Sequence, residues 1–242
     1  MPTATEQIPV NERTRIEEAL TAQLMNRLSR VEKASRPVIL RAEVPVAGLD
    51  ILSWLCAQHP TSRGYWSNRD EPFELAGVGS ADMMTGDSEP DYHRIMARIH
   101  QRLAEAQGNA RYLGGMHFSG RKTPEAAWDY FRAYRFILPR FEVVCANGRT
   151  TFACHMLSNE APDVIRQAFS AVVFPSGESY DDLPAPVARQ DSPDESRWIS
   201  DVSVLLDAFR AGDYEKIVLA RKVTFTFSTP IDAAVLLRTL KK

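Results

Sequence analysis

One turn limits the folds open to this chain more than any other stretch. Residues 135–157 read RFILPRFEVVCANGRTTFACHML, two apolar runs that flank Asn147-Gly148. This dipeptide is the favoured pair for a two-residue type I′ turn, which fixes the register of a β-hairpin. The spacing then predicts these pairs on one mostly apolar face: Cys145 with Thr150, Val143 with Phe152, and Phe141 with Cys154.

The other face of this hairpin is predicted to be more polar, because it carries Arg140, Glu142, Arg149 and His155. The predicted register does not place Cys145 opposite Cys154, so no cross-strand disulfide is implied. The chain has three cysteines, an odd number without the spacing of a metal site. Free thiols are typical of a reducing compartment, and we therefore expect a cytoplasmic protein.

The rest of the chain mixes helical and strand patterns. Apolar residues from Ile16 to Val31 recur at helical spacing, and residues 91–107 and 161–173 predict two further helices. Strand candidates come in adjacent runs: VILRAEVPV, RGYWSN, FELAGVGSA and YLGGMHFSG. Adjacent, hairpin-like strands favour an antiparallel sheet, so the predicted fold class is α+β, with large antiparallel sheets flanked by helices.

Residues 174–196 are rich in Pro, Ser and Asp and predict a long internal connection within a single α+β unit over residues 1–242. A helix follows, with Ser192 as its predicted N-cap and Gly212 as its stop. Its apolar positions predict a buried face formed by Trp198, Ile199, Val202, Leu205, Leu206 and Phe209.

Composition excludes some classes of function. Hydrophobic residues make up 44% of the chain and charged residues 25%, as in ordinary globular proteins. The net charge of −2 gives no electrostatic reason to expect nucleic-acid binding. No apolar run approaches the roughly 20 residues that span a bilayer, and the first 20 residues have no apolar core of a signal peptide. We therefore expect no membrane association.

Residues 213–223, DYEKIVLARKV, predict a strand with Lys216 near its start. One face would carry Lys216, Val218 and Ala220, and the other would be the core face. A lysine on an edge strand is commonly a device against aggregation. A lysine that acts as a base needs a pKa below its ordinary value of about 10.4, which burial beside apolar groups would favour. The strand pattern alone leaves both interpretations open.

The segment YEKIVLARKVTFTFSTPIDAAVLLRTL resembles the start of the chorismate-binding region of isochorismate synthases. The resemblance implies that residues 197–242 form the start of this region. YWSNRDEPFELAGVGSA, YLGGMHFSG and FILPRFEV resemble, in the same order, the N-terminal half of these enzymes. The resemblance covers the chain from about residue 38 to its end. EKIVLARK is its most specific part.

The resemblance implies an activity and a role for one residue. Isochorismate synthases are chorismate-utilising enzymes that isomerise chorismate to isochorismate with Mg²⁺. Water attacks one ring carbon and a hydroxyl leaves from another. The lysine of the matching segment, Lys216 here, is the general base that activates the water. Relatives that use ammonia usually have glutamine there, and an amide cannot accept a proton from water.

The resemblance also implies what these residues lack. The family's general acid and its Mg²⁺-binding glutamates have no matching positions here, so the chain is expected to be a truncated part of an isochorismate synthase that is inactive alone. Salicylate synthase, which shares the lysine and also eliminates pyruvate, is the alternative enzyme. A non-catalytic truncated product is the alternative outside catalysis. The family also implies a monomer.

Overall fold

The computed structural model describes residues 10–31, 36–59, 62–87, 91–117, 126–175 and 183–241. The chain divides into two compact units, Met1–Tyr180 (unit 1) and Asp181–Lys242 (unit 2). The division falls within the connection predicted over residues 174–196. The single unit expected over residues 1–242 stays a prediction, and the two units are described separately below.

Helices and strands alternate irregularly along the chain, as expected for an α+β fold. The helices are α1 (Val10–Leu28), α2 (Ile51–Ala57), α3 (Tyr92–Ala104), α4 (Asp163–Ser170), α5 (Glu195–Ala211) and α6 (Ala233–Leu240), with a 3-10 helix at Ala126–Phe131. The strands are β1 (Ile39–Pro45), β2 (Arg63–Ser67), β3 (Phe73–Val78), β4 (Asp82–Gly86), β5 (Leu113–Met116), β6 (Tyr134–Leu138), β7 (Phe141–Ala146), β8 (Arg149–Leu157), β9 (Ala188–Ser192) and β10 (Lys222–Thr226).

Unit 1 contains an antiparallel five-stranded sheet in the order β1-β8-β7-β3-β2, called the large sheet below. Its centre is the predicted hairpin. Phe141 pairs with Cys154, Val143 with Phe152 and Cys145 with Thr150, which confirms the predicted register. The turn residues adopt positive φ, 51° at Asn147 and 73° at Gly148, as a type I′ turn requires. The three cysteines are free thiols.

The apolar face of the large sheet carries the core of unit 1. α1, α2 and α4 cover this face, and their spacing of apolar residues explains why they do so. Phe152 lies at its centre, 5.2 Å from Phe174 and 6.0 Å from both Trp54 and Phe169 between ring centroids. Buried aromatic rings at these distances contribute both area burial and favourable edge-to-face contacts.

A second antiparallel sheet in unit 1, called the small sheet, has the order β4-β6-β5. α3 contributes Ile95 and Ile99 to a buried cluster with Met84 of β4. β5 lies next to β2, so the small sheet adjoins the edge of the large one. The strands predicted in VILRAEVPV, RGYWSN, FELAGVGSA and YLGGMHFSG are confirmed as β1, β2, β3 and β5.

Unit 2 contains the antiparallel pair β9 and β10, with α5 between them along the chain and α6 after them. α5 begins after Asp194, whose side chain accepts a hydrogen bond from the Arg197 amide, so the predicted N-cap at Ser192 is wrong by two residues. Gly212 ends the helix with φ 77°, as predicted. No helix in the described part of the chain has both the length and the apolar character needed to cross a membrane.

The strand predicted over residues 213–223 is wrong over most of its length. β10 begins only at Lys222, and residues 214–221 have no regular secondary structure. The register explains the difference, because β9 ends at Ser192 opposite Lys222. A strand needs a partner for its backbone hydrogen bonds, and β9 offers none beyond that point.

Candidate functional site

Lys216 lies in the irregular segment between α5 and β10, and its side chain is exposed. Within the described part of the chain it has no hydrogen bond or ion pair. Two of the apolar residues near it in the sequence are exposed as well, Val218 at 80% and Tyr214 at 55%. The strand that would have placed Lys216 beside Val218 and Ala220 on one face is not formed.

The apolar face of α5 beside this segment is also exposed. Sequence periodicity predicted a buried face, yet α5 has no buried residue, and Ile199 and Leu206 are 61% and 49% exposed. Leu219 and Phe225 add exposed apolar area in the same unit. Several large exposed apolar side chains on one unit are typical of a protein interface or of a face that another part of the protein covers.

A charged cleft of about 410 Å³ lies at the start of α5. Arg189 binds Asp191 at 2.9 and 3.0 Å, and Arg221 lies 4.0 Å from the same carboxylate. The hydrogen bonds from Arg189 hold the pKa of Asp191 below its usual value. Asp194 and Glu195 also line the cleft, so its two guanidinium groups face three carboxylates and give no preference for an anion.

A buried polar group of unit 1 lies on the opposite face of the large sheet from Phe152. Glu142 is completely buried, and its Oε1 accepts hydrogen bonds from Arg41 Nε at 3.1 Å and Nη2 at 2.9 Å. Arg111 lies 3.8 Å from the same oxygen. Burial raises the pKa of the Glu142 carboxyl, and the two guanidinium groups oppose that rise. Glu142 Oε2 has no hydrogen-bond partner among the described residues.

His155 lies on the same face and is also completely buried. Its Nδ1 is 2.9 Å from the carbonyl oxygen of Pro139, so the neutral ring donates from Nδ1. Burial, followed by repulsion from Arg41, lowers the pKa of His155 to about 3. Beside it, Arg140 binds the Glu160 carboxylate at 2.6 and 2.7 Å. Sequence reasoning placed Arg140, Glu142 and His155 on one polar face but missed that this face is buried; only Arg149 is exposed as expected.

A third polar group joins the small sheet to α3. Asp82 Oδ2 accepts hydrogen bonds from Arg102 Nη2 at 2.8 Å and Tyr112 Oη at 2.5 Å. Burial acts to raise the pKa of Asp82, but these two hydrogen bonds outweigh it and the pKa is lowered. Partly buried, hydrogen-bonded groups of this kind fix the packing of neighbouring elements.

The GVGSAD stretch preceding this group has a packing role. A Cβ at Gly77 would lie 2.5 Å from Pro139 Cγ, which no real side chain tolerates, and Gly79 has φ 67° between β3 and β4. The glycines therefore allow close packing and a turn.

The described residues offer no metal site, since no three His, Cys, Asp or Glu side chains lie together in a way that could hold an ion. Lys216 also lies in unit 2, whereas the buried polar groups described above all lie in unit 1. The Mg²⁺ that the resemblance implies therefore does not fit the described residues.

Comparison with known proteins matches most of this chain to one family. Residues 24–242 match the family model described as chorismate binding enzyme. The isochorismate synthase MenF of Bacillus subtilis (strain 168) is 20% identical over 249 residues, which cover 94% of this chain and 53% of that protein. MenF of Escherichia coli (strain K12) is 23% identical over 228 residues, which cover 91% and 49%.

One solved structure supports the fold. The menaquinone-specific isochorismate synthase MenF from Escherichia coli superposes with a TM-score of 0.61 at 21% identity, over 92% of this chain and 50% of that structure. The chain thus spans about half the length of the relatives it matches. With a family match over most of its residues and the same α+β fold, the chain belongs to the chorismate binding enzyme family.

Proposed function

We propose that these residues form the N-terminal part of an isochorismate synthase, with Lys216 as its general base. The observation that carries the proposal is the EKIVLARK segment, which lies inside the family match and provides a lysine where the water-using members have one. The two isochorismate synthases among the relatives support the activity.

The proposed reaction consumes and releases one water. Lys216, as a neutral amine, accepts a proton from water while the water oxygen bonds to one ring carbon of chorismate. The ring electrons shift, and the bond between a second ring carbon and its hydroxyl breaks. The leaving oxygen takes a proton from a general acid and departs as water, so atoms balance and the substrate is isomerised. Such positioned proton transfer typically contributes a factor of about 10² to 10⁴.

A base role requires Lys216 to lose much of its hydration. We propose that the exposed apolar residues around it, Val218 and Leu219, pack with the rest of the enzyme when the full site forms. Removal of water from a lysine disfavours its charged form and lowers its pKa. The same packing would cover the exposed face of α5.

The general acid and the Mg²⁺ ligands are proposed to come from the family's catalytic half, because the described residues contain no suitable cluster. On this account the 242-residue chain does not turn over chorismate by itself. The proposal includes a cytoplasmic monomer. The product would feed menaquinone synthesis, in keeping with the menaquinone-specific relative from Escherichia coli, or siderophore synthesis.

The test compares two lysines of the same segment. The coding DNA is read beyond the codon for Lys242, and the longest in-frame or frame-corrected product is assayed for isochorismate with Mg²⁺. Lys216→Gln should lower kcat about 10² to 10⁴-fold. Lys222→Gln, a change at an exposed lysine in β10, should change kcat less than about twofold.

Three results would contradict the proposal. One is clear turnover by the 242-residue chain alone, and another is full activity of the Lys216→Gln enzyme. The third is a locus that encodes no catalytic half. The alternative that would then remain is a non-catalytic truncated product. Release of pyruvate with salicylate as the product would instead favour the alternative, salicylate synthase.

A further inference from the structure

Two buried polar atoms on the polar face of the large sheet have no hydrogen-bond partner among the described residues. They are Oε2 of Glu142 and Nε2 of His155, and both side chains are completely buried. Native proteins rarely leave a buried polar atom unpaired, because its lost hydration is then not replaced. Two such atoms on one face of one sheet indicate a partner that they share.

The strand register brings the two side chains close together. Glu142 of β7 pairs with Ala153 of β8, and His155 lies two residues beyond Ala153 on the same face. Diagonal neighbours of this kind have Cα atoms about 7 to 8 Å apart, a distance that long side chains can span. Glu142 and His155 form no direct hydrogen bond to each other through these two atoms, so any link between them needs a bridging group.

Arg41 connects the two positions. It pairs with His155 across β1 and β8, and its side chain reaches over β8 to Glu142 Oε1, to which Nε and Nη2 donate at 3.1 and 2.9 Å. The residue beneath this path is Ala153, whose side chain is small. Glu142 and His155 therefore adjoin the same guanidinium side chain.

Pro139 helps to enclose the same region. Its carbonyl oxygen is 2.9 Å from His155 Nδ1, and its ring lies over Gly77, which pairs with Glu142 across β3 and β7. Pro139 thus contacts His155 and covers the strand position beside Glu142. The complete burial of both side chains shows that bulk solvent does not reach them.

The chemistry of the two unpaired atoms selects the bridging group. His155 donates from Nδ1, so its Nε2 has a free lone pair, and an oxygen of the Glu142 carboxylate is also an acceptor. Two acceptors require a small molecule with two donors, which excludes an anion without hydrogens. The positive charges of Arg41 and Arg111 nearby disfavour a cation. Water is neutral and has two donors.

Arg111 offers the donor that the oxygen of such a water would accept. Its Nη1 is 3.8 Å from Glu142 Oε1, which is too long for a direct hydrogen bond, and a water often lies between polar groups at this distance. Nη1 donates to the carbonyl oxygen of Asn109 at 3.2 Å, and a guanidinium has five N–H donors. Burial is the main reason for the lowered pKa of His155, and the charge of Arg111 also contributes, so Arg111 lies close enough to act on this ring.

We propose that one enclosed water molecule bridges Glu142 and His155. Its two hydrogens bond to Glu142 Oε2 and His155 Nε2, and its oxygen accepts a hydrogen bond from Arg111. Three hydrogen bonds are typical of an internal water. Arg111 lies between α3 and β5, so the water ties this connection to the large sheet. The site is independent of the proposed activity of Lys216.

Neutron diffraction from crystals of the 242-residue chain grown in heavy water tests the site directly. The expected result is one D₂O molecule whose oxygen lies about 2.7 to 3.0 Å from both Glu142 Oε2 and His155 Nε2, with one deuteron directed to each. Three results would overturn the proposal: no scattering density between the two atoms, a solvent molecule that contacts only one of them, or a cation at this position.

A solution measurement tests the contact with Arg111. A long-lived internal water gives a nuclear Overhauser effect between the water signal and Hδ2 of His155, the ring proton that lies beside Nε2 and away from the Nδ1 proton. This signal should be lost in Arg111→Met, a change at a partly exposed side chain, and should be retained in Arg149→Gln, at an exposed arginine of β8. A signal missing from the original chain, or unchanged in folded Arg111→Met, would contradict the proposal.

Discussion

Phe152 of unit 1 and Phe225 of unit 2 are both phenylalanines on strands, yet Phe152 is completely buried and Phe225 is 49% exposed. The helices of unit 1 cover the apolar face of their own sheet, and its polar face is also covered, which encloses Glu142 and His155. In unit 2 the long helix α5 has no buried residue. Unit 1 thus buries its large apolar side chains in its own core, whereas unit 2 leaves many of them exposed.

This difference indicates where stability resides. Unit 1 contains the contacts that hold a folded domain together, whereas unit 2 displays exposed apolar side chains that the proposed active site would enclose. Substitutions in matched pairs, one in each unit, test this contrast most sharply.

The largest effect is expected at the centre of the core. Phe152→Ala should lower the free energy of unfolding by about 3 to 5 kcal/mol, because it removes a buried ring and leaves a cavity. Phe225→Ala, at a half-exposed ring of β10, should cost less than about 1 kcal/mol. Urea unfolding of the two variants measures both values. Equal costs would show that the two units are equally packed.

A nearly equal effect is expected at the buried ion pair. Glu142→Gln should cost about 3 kcal/mol, because it leaves the Arg41 guanidinium buried without its full partner. The exposed pair Arg197–Asp201 on α5 is the control, and Asp201→Asn should cost less than about 0.5 kcal/mol. A Glu142→Gln protein as stable as the original would mean that water reaches this carboxylate.

The buried histidine should make unit 1 sensitive to acid. The unfolded chain binds a proton at His155 below about pH 6.5, but the folded chain does so only near pH 3. Stability from this group is therefore complete above pH 6.5 and is lost as the pH falls, by about 2 kcal/mol at pH 5.

His155→Asn removes this proton linkage and places an amide donor near the position of Nδ1. Its free energy of unfolding should vary less between pH 5 and 8 than that of the original chain. The raised pKa of Glu142 makes stability fall as the pH rises, and this contribution is present in both proteins. The difference between their pH profiles therefore reports the contribution of His155. Identical pH profiles would show that His155 takes up its proton while folded.

The smallest effects are expected at two glycines with nearly the same backbone angle. Gly148 has φ 73° in the hairpin of unit 1, and Gly212 has φ 77° at the end of α5 in unit 2. Replacement by alanine costs about 1 to 2 kcal/mol in this conformation. Gly148→Ala should lower the stability of unit 1 by that amount, whereas Gly212→Ala should shorten α5 with little effect on unit 1. Hydrogen exchange, read separately for each unit, measures both.

Sequence reasoning succeeded where local chemistry decides the structure. Asn147-Gly148 determines its own turn, and that turn determines the register of β7 and β8. Gly212 likewise ends α5 as expected. α2 was missed because it has only seven residues, and the run from Ile51 to Leu55 is buried throughout, so no polar face alternates with an apolar one.

The predictions failed where contacts between distant parts of the chain determine the structure. Periodicity identified the apolar face of α5, but a local pattern cannot show whether another element covers that face. It placed Glu142 on a polar face without revealing the guanidinium groups of Arg41 and Arg111 beside it. Lys216 was singled out by its family segment, whereas its strand required a neighbour that β9 does not provide.

Labelled water shows whether Lys216 activates water for attack on the ring of chorismate, as proposed. The longest product encoded by the locus is incubated with chorismate and Mg²⁺ in oxygen-18 water, and the isochorismate is analysed by mass spectrometry. We expect one oxygen-18 in each product molecule, and a labelled product whose rate of formation falls about 10² to 10⁴-fold in the Lys216→Gln enzyme but not in Lys222→Gln. Isochorismate without the label, or labelled isochorismate formed at the full rate by Lys216→Gln, would contradict it.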